Sequence, residues 1–157
     1  LVAVVEERVE GAHCRKDRWQ RACRGRSGPE HTAIGGASFG GVFALHAAGT
    51  RPDLFGAAVV ESPSVLSGQE RMLDVFTGDG FVWPQRVFLG MGDSESGTSE
   101  PSGVLNAQYR AAGAKLQAHA RQSGADIAYV HRENHVHNEQ AWAERFPMAL
   151  RHLYGAE

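Results

Sequence analysis

AIGGASFGGVFAL, Ala33 to Leu45, sets four glycines (Gly35, Gly36, Gly40 and Gly41) around a single serine, Ser38. Glycine weakens helices and strands alike, so four of them at one place need a backbone reason. The residues up to Ala37, HTAIGGA, read as a short buried strand, and FGGVFALHAAG reads as a helix. Gly36-Ala37-Ser38-Phe39-Gly40 is therefore a G-x-S-x-G pattern at a strand-to-helix turn, the setting that separates a nucleophile elbow from a plain Gly-rich loop. In an elbow the serine is held in a strained conformation while the chain passes close by, so a Cβ at Gly36 or Gly40 would clash. Gly41 lets the new helix pack tightly against a strand. The Phe39 N–H, at the positive end of that helix, can face a developing oxyanion. A phosphate-binding loop is the competing reading, but GGASFGG lacks the G-K-[ST] ending.

Downstream of the elbow the chain keeps one rhythm. RPDLFG is a turn, and GAAVVES is a second apolar strand. A short helix is predicted from Ser67 to Phe76, and RVFLGMG is a third strand. Leu105, Tyr109, Ala112 and Leu116 step along one helical face, and ADIAYVH is a fourth strand. A last helix starts near Asn138, with Trp142, Phe146, Leu150 and Leu153 as its buried side and a possible kink at Pro147. Strands alternating with helices imply an α/β fold with a mainly parallel sheet of about four strands flanked by helices.

Upstream the pattern breaks down. Residues 13–30 carry Arg15, Lys16, Arg18, Arg21, Arg24 and Arg26 against Asp17 and Glu30 alone. They lack a nucleic-acid-binding motif and interleaved aromatics beyond Trp19, so a solvated segment or linker is the expectation. Leu1, Val5 and Val9 recur at helical spacing, as at the end of an amphipathic helix. The chain thus divides into an irregular or partly helical arginine-rich segment, 1–30, and an α/β portion, 31–157. The 157 residues can bury a core as one domain. A net charge of -2 suggests neither a nucleic-acid nor a membrane partner. No apolar run approaches the roughly 20 residues of a membrane span, and LVAVVEERVEG lacks the basic and small-residue features of a signal peptide. A cytoplasmic location is the expectation. Cys14 and Cys23 fit no metal-ligand spacing and read as unpaired thiols.

A serine hydroxyl needs a base to take its proton. His46 falls inside the helix after the elbow, while His119 and His152 fall in later helices. His131, His135 and His137 follow the fourth strand, where a base belongs. His137 opens HNEQAWAERF with Asn138 as a candidate N-cap, a loop able to bring an imidazole back over the serine. A metal site from His135, His137 and Glu139 is the alternative, but no second ligand cluster accompanies it, and no metal or other cofactor is expected. An acid that orients the imidazole should follow RVFLGMG, in the chain order serine, acid, histidine. GDSES offers Asp93 and Glu95, and position alone does not choose between them.

From about Ala33 to Tyr154 the sequence resembles esterases of the esterase D and enterochelin-esterase type, in the α/β-hydrolase superfamily. The resemblance rests on AIGGASFGGVFAL, RPDLFGAAVVESPS, VFLGMGDSE and HNEQAWAERFPMALRHLYG, four pieces in the matching order. It implies hydrolysis of a small carboxylic ester through an acyl-enzyme without a cofactor, including esters of the siderophore type. It puts Ser38 on the nucleophile, His137 on the histidine and Glu95 on the acid, ahead of Asp93; some relatives manage with serine and histidine alone. Acyl transfer to another alcohol is the alternative on the same fold, and a non-catalytic fragment retaining the elbow by descent is the alternative outside it. Relatives are usually longer, with several strands before the elbow and a second oxyanion donor in an early loop. The sequence therefore reads as a carboxy-terminal portion, a partial α/β-hydrolase fold whose elbow strand would present an open edge to self-association.

Overall fold

Small and β-branched apolar residues fill the segments between the turns, and these segments line up side by side. The structure, a computed structural model, describes residues 2–6 (backbone), 28–68, 71–97 and 101–155. In chain order its elements are β1 (Val2–Glu6), β2 (Thr32–Ala37), α1 (Phe39–Thr50), β3 (Ala57–Glu61), α2 (Arg71–Thr77), β4 (Arg86–Ser94), α3 (Val104–Gln122), β5 (Asp126–Val136) and α4 (Glu139–Tyr154). The sheet order is β1-β2-β3-β4-β5. Strands β2 to β5 are parallel, with Ala33 opposite Ala57, Ala57 opposite Arg86 and Arg86 opposite Asp126.

The period of two along each strand distributes the core. Ile34, Val60, Val87, Leu89 and Met91 face one layer, formed by Val42 and Leu45 of α1, Leu73 and Phe76 of α2, and Leu116 of α3. Ala33, Ala57, Val59 and Phe88 face the other way and meet Ala149 and Leu153 of α4. Every residue of β3 is buried, as expected of a central parallel strand covered on both faces. The same alternation that turns Ala57 and Val59 toward α4 turns Glu61 there too. Among the described residues no helix is long and apolar enough to cross a membrane.

Three expectations need correction. Val2–Glu6 forms a strand rather than a helix, paired antiparallel to β2 with Val4 opposite Ile34. Its β-branched valines suit a pleated edge better than a helix, which the fourfold spacing of Leu1, Val5 and Val9 obscured. The elbow strand therefore has no open edge on that side: β1 occupies it. Finally, α4 buries Ala141, Arg145, Ala149 and Leu153, while Phe146 is exposed. The inward face is turned by one residue from the apolar one read in the sequence, and an arginine lies at its centre. The arginine-rich stretch 13–27, with both cysteines, lies outside the described residues.

Candidate active site

The carboxyl ends of β2 to β5 lie along one edge of the sheet, where open α/β folds gather their functional groups. At the end of β2, Ser38 has φ 59° and ψ −127°, a conformation costing on the order of 1–3 kcal/mol for a residue with a side chain. The main chain holds it there. Ser38 N–H donates to the Glu61 carbonyl at the end of β3 (2.9 Å), and the Ser38 carbonyl accepts from Gly41 (3.1 Å) and Ser64 (3.3 Å). A Cβ at Gly41 would stand 3.1 Å from the Glu61 carbonyl oxygen and 3.2 Å from that of Gly36, so glycine is what lets α1 start this close to the sheet. Gly36 is paired within β2, and Gly40 is buried in the first turn of α1. Phe39 is the first residue of that helix, where N–H groups lack intrahelical acceptors. The Ser38 hydroxyl is hydrogen-bonded to Ser64 Oγ at 3.0 Å, in the loop after β3.

The two candidate acids have different surroundings. Glu95 is buried and its Oε2 lies 2.8 Å from His137 Nδ1. Its other oxygen, Oε1, accepts from Ser62 Oγ at 2.8 Å and from the Gly92 N–H. Asp93, also buried, accepts the Asn134 N–H on Oδ2 at 3.0 Å. That contact secures an irregularity in β5. Gly92 pairs with Arg132 but Ser94 with Val136, so two residues of β4 stand against four of β5, and Asn134 takes φ 60° within the excess. The bulge re-aims the strand end and delivers His137 to the loop before α4. Asn138 Oδ1 then caps that helix by accepting from Ala141 N–H at 2.9 Å. The His137 and Trp142 rings meet nearly at right angles, with centroids 5.3 Å apart.

His131 and His135 lie within β5, which runs further than the sequence suggested. His135 is engaged elsewhere. Its Nδ1 is 3.0 Å from Arg145 Nη1, which can only donate, and its Nε2 is 3.3 Å from Glu144. This fixes the Nε2–H tautomer and takes up the lone pair a base would need. Among the described residues no group of three or more His, Cys, Asp or Glu side chains is placed to hold a metal ion.

Sequence reading missed the polar core beneath the histidine. Arg145 is fully buried; its Nε and Nη2 are each 2.8 Å from Glu61 Oε2, and Nη2 also donates to Ser62 Oγ at 3.1 Å. Trp142 Nε1 donates to the same hydroxyl at 3.0 Å. The Glu61 carboxylate lies over Gly90 of β4, where a Cβ would collide with it. Burial pushes the Glu61 carboxyl up to about 7, against the pull of the Arg145 charge and hydrogen bond, and the Glu95 charge adds to the rise. A signal was available: Arg145 stands four residues from both Ala141 and Ala149, on a small-residue face that packs closely.

Removing one partner of a buried ion pair leaves the other uncompensated. Arg145→Met is expected to cost about 3–5 kcal/mol of stability. The sign of its pH dependence follows from Glu61. A carboxyl raised on folding keeps a proton that the unfolded chain has released, so its stabilising effect is full below about 4.5 and declines toward about 7. Without Arg145 the decline extends to higher pH. Urea denaturation should show a larger loss at pH 8 than at pH 5; an equal loss at both would mean that Glu61 is not the group left exposed.

The fold and these positions can be set beside known proteins. A ferulic acid esterase structure aligns with TM-score 0.60 and 16% identity, over 83% of this chain and 54% of that one. Two siderophore hydrolases from Aspergillus nidulans align at 19% identity. EstA has TM-score 0.52, over 77% of this chain and 47% of its own, and EstB has TM-score 0.50, over 74% and 46%. The chain spans about half the length of these structures. No curated protein sequence matches it. The sequence pattern of the family described as "Putative esterase" matches residues 19–153, from the arginine-rich segment into the last turn of α4, and the chain belongs to that family.

Proposed function

We propose that this chain carries the catalytic residues of a serine carboxylic-ester hydrolase. The observation that carries the reading is the Glu95–His137 hydrogen bond of 2.8 Å, formed at the same end of the sheet as a serine held at positive φ. With Nδ1–H donated to Glu95, the neutral imidazole has its lone pair on Nε2, the nitrogen that can take a proton. In the reacting state Ser38 Oγ leaves Ser64, gives its proton to His137 Nε2 and bonds to the ester carbonyl carbon. The carbonyl π electrons move onto oxygen, which the Phe39 N–H stabilises. The tetrahedral adduct collapses by breaking the bond to the alcohol oxygen, and that oxygen takes the proton from His137. Water then repeats the sequence on the acyl-enzyme, releasing the acid and restoring Ser38.

The substrate is a small carboxylic ester. The siderophore-ester class is the specific member favoured by the resemblance to enterochelin esterases and by the names of two aligned structures. Rapid mixing with p-nitrophenyl acetate tests the mechanism. A burst of nitrophenol, together with a mass gain of one acetyl group on Ser38, is the expected result. Linear release without acylation of Ser38 would remove the covalent mechanism, and no turnover by the soluble, folded chain would remove the activity.

A further inference from the structure

The Ser62 hydroxyl is surrounded by three polar partners whose chemistry leaves it only one arrangement. A hydroxyl has one hydrogen and two lone pairs. Trp142 Nε1, at 3.0 Å, and Arg145 Nη2, at 3.1 Å, are donors without acceptor capacity, so they take both lone pairs. The hydroxyl hydrogen must therefore go to Glu95 Oε1, 2.8 Å away. That oxygen also accepts the Gly92 N–H, which leaves Oε2 to face His137. Arg145 and Trp142 thus donate to Ser62, and Ser62 donates to Glu95 Oε1; at Oε2 a carboxylate oxygen, which only accepts, takes the His137 Nδ1–H. The chain ends on an imidazole with its lone pair at Nε2. Ser62 is set into this junction by its own backbone, at φ 41° with its N–H donated to the Gly90 carbonyl at 2.7 Å.

We propose that Ser62 is a positioning residue: held by Arg145 and Trp142, its hydroxyl keeps the Glu95 carboxylate with Oε2 against His137 Nδ1, where an acceptor-only group favours the Nδ1–H tautomer. The role rests on the esterase reading for its use in catalysis, but the tautomer can be measured without any reaction. The proposal also gives the buried Arg145–Glu61 pair a function beyond filling the core. The pair anchors the guanidinium that directs the Ser62 hydrogen.

Imidazole ¹⁵N NMR of the whole chain, before and after Ser62 substitution, is the test. The unaltered protein should show His137 as a single Nδ1–H tautomer. Ser62→Ala and Ser62→Gly should both give a mixture of tautomers, with fluorophosphonate labelling of Ser38 slowed roughly 10- to 100-fold, by analogy with the loss of outer partners at metal-bound histidines. Gly separates hydroxyl from backbone, because it relieves the positive φ while lacking the donor. Recovery in Ser62→Gly alone would assign the effect to strain and overturn the proposal. An unchanged tautomer in both variants would overturn it too, and so would loss of the folded state in both, which would make Ser62 structural. Labelling of the unaltered chain at a residue other than Ser38 would instead refute the esterase reading, while the tautomer comparison would still decide the role of Ser62.

Discussion

Ser38→Ala is expected to abolish fluorophosphonate labelling and to lower kcat on short-chain esters by roughly 10⁶-fold, the scale seen when a serine nucleophile is removed from an assembled site. The size follows from roles that work as one unit: without Oγ there is no covalent intermediate, whatever the state of the base. His137→Ala should cost nearly as much, because Ser38 then has no group to take its proton. The double variant should be scarcely worse than either single one, since removing a second member of a broken unit loses little more. His135→Ala provides the contrast. Its ring nitrogens are committed to Arg145 and Glu144, so its loss should weaken the fold rather than the chemistry. Steady-state assays of the four variants beside a thermal melt separate these effects. Labelling that survives in Ser38→Ala, or a catalytic loss confined to His135→Ala, would remove the proposed mechanism.

Glu95→Gln carries the second large effect, roughly a 10⁴-fold loss in kcat, as for a triad acid converted to its amide. The surroundings of Glu95 say why an isosteric change should be so harmful. Ser62 Oγ and the Gly92 N–H both donate to Oε1, so the amide oxygen of Gln must sit there. Its NH₂ group is then forced into the place of Oε2, opposite His137 Nδ1. A donor facing Nδ1 selects the Nε2–H tautomer, in which the nitrogen that would take the serine's proton already holds one. Asp93→Asn should be far milder, within about tenfold, because an amide oxygen can still accept the Asn134 N–H that holds the β5 bulge. Equal losses in the two variants would show that geometry around the bulge matters more than the charge on Glu95. A harmless Glu95→Gln would favour a serine–histidine pair acting without an acid.

The order of strands and helices was legible in the sequence because it is written in local terms. Apolar runs of strand length, Gly and Pro between them, and helical spacing in the Leu105 to Leu116 stretch all act over a few residues. The same holds for the elbow, where Gly36, Ser38, Gly40 and Gly41 are contiguous, and for the Asn138 cap, whose donor is three residues away. The strand at Val2–Glu6 was misread because three valines, an alanine and a glutamate satisfy either period over so short a run, and only pairing with β2 chooses between them. The polar layer was hidden for a different reason. Glu61 is 84 residues from Arg145, and Ser62 is 33 from Glu95 and 80 from Trp142. Each residue by itself reads as a loop polar group or a solvated charge. What buries them is the parallel register, which turns Glu61 onto the face covered by α4. An uncompensated carboxylate there would be costly, and Arg145 on the closest-packed side of that helix meets it. Local chemistry determined where the serine stands and which residues could serve it. Only the packing of α4 against β3 and β4 decided which oxygen of Glu95 faces His137, because hydrogen-bond direction depends on partners that the chain brings together from far apart.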